Sequence, residues 1–270
     1  MKAVSTGLFF MLLISGVTGS AAASNEDAFP NRKLFPELAY ISIEDLSRNY
    51  EKFIVVDVRS PFEYHTLHAV GAINIPRAAK DFVPRMKELR ASNKGKTIVL
   101  YCNGKKCKQS YKAGRMCYQN QIGNVLVYDQ GINDWAKTYP KLAVLLGNTP
   151  VDRNKLLGED AIRQHMVPYD EFVRLANSQN AVIIDIRDAV DREAISLFMG
   201  REKRADYRHI KKLEALLDEA AKARQAVLIY DNAGTEVGWL MYHLKERKIK
   251  RFYFLKGGMR QYYAELRSGL

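Results

Sequence analysis

Two stretches of this 270-residue chain pass through the same order of elements, and that duplication limits the fold more than any single motif does. The first reads ISIEDLSRNY, FIVVDVR, TIVLYCNG and NVLVYDQGINDW; the second reads VPYDEFVRLA, AVIIDIR, AVLIYDNAG and RFYFLKGGMRQYY. Each opens on an amphipathic helix and continues into an apolar strand ending Asp-x-Arg, at Asp57 and Arg59 or at Asp185 and Arg187. A second buried strand, a helix, a third strand and a glycine turn into a last helix follow. Short continuous apolar strands alternating with helices predict an α/β fold, in which a mostly parallel central sheet carries helices on both faces.

The spacings repeat as well. Asp57 lies 45 residues before Cys102, and Asp185 lies 46 before Asp231. Ser110 to Gly131 and Val237 to Gly258 both span 21 residues. Matching periods of this kind predict two tandem copies of one domain. We place the copies at 38–145 and 165–270, with a polar, turn-rich linker at 146–164 (GNTPVDRNKLLGED).

The copies part company at one loop. The first has Cys102 directly after its second strand, then Asn103, Gly104, Lys105, Lys106, Cys107 and Lys108 before the next helix. In the second, Asp231 replaces the cysteine and the loop is two residues shorter, with no cation in NAGTEV. A thiol facing a short cationic loop at a helix N-terminus is the arrangement expected of a nucleophilic cysteine. Gly104 permits a tight curl, the loop N–H groups can form an anion nest, and the three lysines are expected to lower the Cys102 pKa and attract an anion. One copy is expected to carry chemistry and the other to be silent.

DVRSPFEYHTLHAVGAINIP, YCNGKKCKQS and YDQGINDW resemble the rhodanese family of sulfurtransferases. The residues that carry the resemblance are Asp57 and Arg59, then His68, Gly71, Ala72, Asn74 and Pro76, then Cys102, and finally Gly131, Ile132 and Trp135. The second copy resembles the family more weakly and looks like a catalytically silent rhodanese-like domain. The resemblance implies a two-step covalent mechanism. Cys102 takes a sulfane sulfur from an anionic donor such as thiosulfate, holds it as a persulfide, and yields it to cyanide, a small thiol or a protein acceptor. Asn103 to Lys108 would bind the anion. The chain departs from the family's usual six-residue loop and from its arginine before the serine, having Gln109 there, and it adds Cys107.

Cys107 is open to three readings: packing, relaying sulfur, or closing a disulfide with Cys102 as a thiol-redox device. A phosphatase-like or arsenate-reductase-like oxyanion enzyme is a further alternative, weakened because such loops end in an arginine fork that lysines replace only in part. Cys117, Trp135 and Trp239 are expected in the core, His68 in a structural role and His65 in solvent. Asp57 and Arg59 are expected to be structural, with Arg59 paired to Glu63. No metal or cofactor is called for.

The net charge of +12 is scattered, and no groove-reading helix or zinc finger accompanies it, so nucleic acid is not expected as a partner. The first 23 residues, MKAVSTGLFFMLLISGVTGSAAA, have the lysine, apolar run and small-residue end of a secretory signal peptide, with cleavage after Ala23. About eleven apolar residues fall short of the roughly 20 that span a bilayer, so no stable membrane anchor is expected. Residues 24–37 form an N-terminal extension. The mature protein is expected to be periplasmic or secreted, where only three cysteines, all within sixteen residues, argue for reactivity rather than a disulfide scaffold. Oligomeric state is not legible.

Overall fold

The computed structural model describes residues 28–178, 180–187, 196–206, 210–234 and 236–268. The expected signal peptide and the start of the N-terminal extension lie outside the described residues, as does part of the polar stretch after Arg187. In the first copy the elements run β1 (Ala39–Tyr40), α1 (Ile43–Arg48), β2 (Phe53–Asp57), α2 (Pro61–Thr66), β3 (Leu67–Ala69) and β4 (Ile73–Asn74). They continue through α3 (Phe82–Ser92), β5 (Thr97–Tyr101), α4 (Gln109–Gln119), β6 (Val125–Tyr128), α5 (Gly131–Thr138) and β7 (Ala143–Leu145). The linker carries α6 (Glu159–Arg163), and the second copy has β8 (Met166–Val167), α7 (Tyr169–Ala176), β9 (Ala181–Asp185), β10 (Glu202–Arg204) and α8 (Ile210–Lys222). It ends with β11 (Ala226–Tyr230), α9 (Val237–Glu246), β12 (Phe252–Leu255) and α10 (Gly258–Ser268).

The duplication is borne out strand by strand. One sheet has the order β1-β6-β5-β2-β4 and the other, read in the same direction, β8-β12-β11-β9-β10. Every pairing within the two sheets is parallel. The registers match too: Asp57 lies opposite Tyr101, and Asp185 opposite Tyr230. Central strands buried on both faces are what continuous apolar runs produce, and β11 is buried at all five positions. Each sheet therefore delivers its strand ends, and the loops after them, to one edge, where ligands of parallel sheets gather. The first copy adds an antiparallel pair, β3 with β7, in which His68 lies opposite Val144.

The two copies share a core. Phe62, Leu67 and Ala69 belong to one continuous apolar cluster with Trp239, Leu240 and Leu244. At that seam α9 packs on α2. Thr66 Oγ1 lies 2.9 Å from His243 Nε2, and the His243 ring stacks on Phe62 at 5.2 Å between centroids. Burial, helped by the nearby Arg247 charge, pulls the His243 pKa down to about 4.

The unfolded chain gains a proton on His243 near its ordinary value of about 6.5, whereas the folded chain resists it until about 4. Between those values the unfolded state binds more protons, so stability falls as pH drops through the window. Urea unfolding at pH 7 and pH 4.5 should show a stability loss of which about 2 kcal/mol disappears in His243→Gln. An unchanged loss in that variant would place the acid sensitivity elsewhere.

Candidate active site

Cys102 is the first residue after β5, and its position is fixed through the main chain. Its carbonyl accepts the Ile132 N–H at 3.0 Å, which ties the strand end to the start of α5. The contact is closed by Gly131, whose φ is +81°. A Cβ there would sit 2.3 Å from Gly104 N and 2.4 Å from Asn103 C, so the loop backbone rests directly on this glycine. The second copy repeats the arrangement: Met259 N–H donates to the Asp231 carbonyl at 3.0 Å, over Gly258 at φ +59°.

The rest of the loop is held by side chains from several elements. Ser60 and Glu63 form the capping box that starts α2, with Ser60 N–H donating to Glu63 Oε2 at 3.0 Å. The other oxygen of that carboxylate accepts the Asn103 amide at 2.7 Å. Arg59 Nη1 donates to Asn103 Oδ1 at 3.1 Å. From the N-terminal extension, Asn31 Nδ2 donates to the Lys105 carbonyl at 3.0 Å. The expected pairing of Arg59 with Glu63 is corrected here. Arg59 curls back on Asp57, with Nε 2.9 Å from Oδ1 and Nη2 2.5 Å from Oδ2, and this leaves Glu63 free for the loop. Nothing in the sequence marked Asn31, whereas the Ser60-x-x-Glu63 spacing was a readable cap signal.

The two loop cysteines occupy different surroundings. Cys102 is 1 % exposed, and its Sγ lies 3.2 Å from Ser110 Oγ and 3.5 Å from the Cys107 carbonyl. Burial pushes its pKa well above the usual thiol value, and the neighbouring Cys107 thiol pushes the same way, against the opposing pull of Ser110. That reverses the expectation of a resting Cys102 thiolate: enclosure outweighs the loop's charge. Cys107 is half-buried, and its pKa falls to about 7. The Cys102 thiol favours its charged form first, and the Gln109 and Asn103 backbone amides add to the effect against the cost of burial. The nest is partial, because the Cys107 N–H turns back to the Gly104 carbonyl at 2.8 Å.

A cleft of about 440 Å³ opens beside this loop. Asn103, Gly104, Lys105, Lys106 and Cys107 line one side, and Lys137 with Leu157 to Glu159 of the linker line another. Cys102 does not reach it. Neither does Lys108, which sits exposed at the N-cap of α4 and so departs from its expected place around the anion. Lys137, missed in the sequence because it lies 29 residues further on, takes part instead. Three lysines thus face Asp134 and Glu159, with Lys105 Nζ 4.0 Å from Asp134.

In the second copy, Asp231 fills its own nest. Its carboxylate accepts the Glu236 N–H at 2.8 Å and also the Gly234 N–H. The space where the first copy keeps a thiol is closed by a carboxylate already satisfied. Cys117 is buried in α4, and burial raises its pKa to about 12. His68 Nδ1 lies 2.7 Å from the Tyr64 carbonyl while its ring stacks on Tyr64, and His65 is exposed. No cluster of three or more His, Cys, Asp or Glu fit for a metal occurs among the described residues.

A family model of the rhodanese-like domain matches residues 42–138 and again 169–265. The chain is 33 % identical over 86 residues to a tRNA uridine(34) hydroxylase of Photorhabdus laumondii, a match covering 31 % of this chain and 24 % of that protein. It therefore spans about a quarter of this curated relative's length. Among solved structures, a rhodanese-related protein of Thermoplasma volcanium is similar at 26 % identity with a TM-score of 0.32, over 37 % of this chain and 93 % of that one. A thiosulfate sulfurtransferase of Pseudomonas aeruginosa is similar at 14 % identity with a TM-score of 0.38, over 86 % of this chain and 45 % of that one.

The matched glycines give a paired test. Gly131→Ala should destabilise the protein by about 2–4 kcal/mol and open Cys102 to alkylation, because the loop must move off the new methyl group. Gly258→Ala should destabilise comparably yet leave Cys102 protected. Equal alkylation of Cys102 in both variants would contradict the separate roles of the two loops.

Proposed function

The chain belongs to the rhodanese family, and from that premise we propose that it is a sulfurtransferase that carries sulfane sulfur as a Cys102 persulfide. The observation that carries this reading is the contrast between two otherwise matched loops. The first holds a thiol at the end of β5 beside a lysine-lined cleft; the second is closed by the Asp231 carboxylate. A cleft with one excess positive charge suits a small anionic donor such as thiosulfate.

A thiolate attacks the donor's outer sulfur, the S–S bond breaks, and sulfite departs with the electron pair. Ser110 Oγ stands 3.2 Å from the Cys102 sulfur, where it can donate to the persulfide formed there. A cyanide ion, a small thiol or a protein thiol then attacks the outer sulfur and frees Cys102. We place this chemistry outside the cytoplasm, on the signal-peptide pattern of residues 1–23. No helix among the described residues is long and apolar enough to cross a membrane.

The same two thiols favour one second reading, a thiol-redox protein, because a cysteine with pKa near 7 beside another thiol is suited to disulfide exchange. Its signature would be a mass about two hydrogens lower after mild oxidation, and no gain of sulfur.

Turnover separates the readings. With thiosulfate and a small thiol, the parent should release sulfite continuously, and a chain carrying both Cys102→Ser and Cys107→Ser should fall to below about 1 % of that rate. After donor exposure and alkylation, trypsin cuts at Lys105 and Lys106, which separates the two cysteines. The added sulfur, about 32 Da, should lie on the Cys102 peptide. Full turnover in the double variant, or added sulfur absent from the Cys102 peptide of the parent, would contradict the proposal.

A further inference from the structure

Cys102 cannot meet a donor directly in this loop. It is 1 % exposed, it keeps its proton, and it contributes nothing to the cleft wall. Cys107 does what Cys102 does not. It lines the cleft beside Lys105 and Lys106, the Cys102 thiol and then the Gln109 and Asn103 amides favour its charged form, and its own carbonyl lies 3.5 Å from the Cys102 Sγ. A thiolate at the mouth and a protonated thiol behind it form an ordered pair.

We infer that Cys107 is a second catalytic residue, the thiolate that takes the sulfur from the donor at the cleft and hands it inward to Cys102. The inference rests on the sulfur-transfer reading above and adds a step to it. Cys107 attacks the outer sulfur of the donor. The donor's S–S bond breaks, sulfite leaves with the bonding pair, and a Cys107 persulfide anion remains. The Cys102 thiol gives its proton to the outer sulfur of that persulfide and attacks the same atom. The Cys107 S–S bond then breaks, Cys107 leaves as the thiolate it began as, and the protonated persulfide stands on Cys102. The relay involves no net oxidation or reduction and needs no further reagent.

The arrangement also accounts for the longer loop. Eight residues separate Cys102 from Ser110, against six between Asp231 and Val237. The extra length lets the chain turn at Gly104–Cys107 and bring Cys107 back onto Cys102, whose Sγ lies 3.5 Å from the Cys107 carbonyl. Lys137 and the linker residues Leu157 to Glu159 close the far side of the cleft, so the donor is met at Cys107 from between the two copies.

The test is single-turnover sulfite release from thiosulfate with no acceptor, followed by tryptic mapping, on the full chain and on Cys102→Ser, Cys107→Ser and Cys107→Ala. Glutathione persulfide serves as a second donor, read by mass alone. The relay predicts that Cys102→Ser releases about one equivalent of sulfite at close to the parent rate and traps the sulfur on the Cys107 peptide. Both Cys107 variants should load about tenfold more slowly or worse. If the Cys107 variants load Cys102 at the parent rate while Cys102→Ser takes no sulfur, the relay is overturned and the Cys102 persulfide stands. If the parent gains sulfur from neither donor, the sulfur-transfer reading falls and the relay with it.

Discussion

A buried guanidinium organises the first copy and joins it to the second. Arg59 is 2 % exposed, and a charge so enclosed is tolerated only with partners on every side. Asp57 supplies the counter-charge through a two-point contact, the Leu67 carbonyl accepts Nη2 at 2.5 Å, and Asn103 accepts Nη1. The guanidinium also faces the Trp239 ring at 5.0 Å. One side chain therefore ties the end of β2, the strand that follows α2, the loop bearing both thiols, and the second copy. The second copy repeats the core of this device, with Arg187 on Asp185 and its guanidinium over Tyr230.

The seam between the copies places another carboxyl near that charge. Glu236 precedes α9 and carries the backbone N–H that fills the Asp231 carboxylate. Its own carboxyl is held to a pKa of about 8, chiefly by burial, with Glu63 and Asp231 adding to the rise and Arg59 opposing it. At neutral pH it is mostly uncharged, which suits a position between two other acids. The second copy's loop is thus packing: its nest is occupied from within, and the helix after it meets the first copy through Trp239 on Arg59 and His243 on Thr66 and Phe62.

Much of this was legible in the sequence for simple reasons. Five-residue apolar runs such as TIVLY and AVLIY, alternating with helices, read as buried strands of a parallel sheet, and equal spacings between like motifs read as two copies of one domain. The β3–β7 pair was not legible, because LHA and AVL are three residues long and lie far apart in the chain. Partners chosen by proximity in sequence fared worst. Glu63 looked like the natural mate of Arg59, but the arginine curls back within its own strand end. Lys108 belongs to the loop yet points away from the cleft, while Lys137 reaches it from α5. The order of the two thiol pKa values depends on burial: Cys102 follows the apolar run TIVLY and is enclosed with it, whereas Cys107 follows Asn-Gly-Lys-Lys and stays half-buried, a contrast that outweighs the loop's lysines.

The division of labour between a thiolate at the mouth and a protonated thiol behind it is most directly tested by alkylation across pH. The reduced protein would be treated with limiting iodoacetamide from pH 5 to 10, digested, and quantified at each cysteine peptide. Labelling should fall on Cys107 with a midpoint of about 7, while Cys102 and Cys117 stay protected in the folded chain. Labelling of Cys102 first, with Cys107 reacting only near the ordinary thiol range of about 8.5, would contradict it.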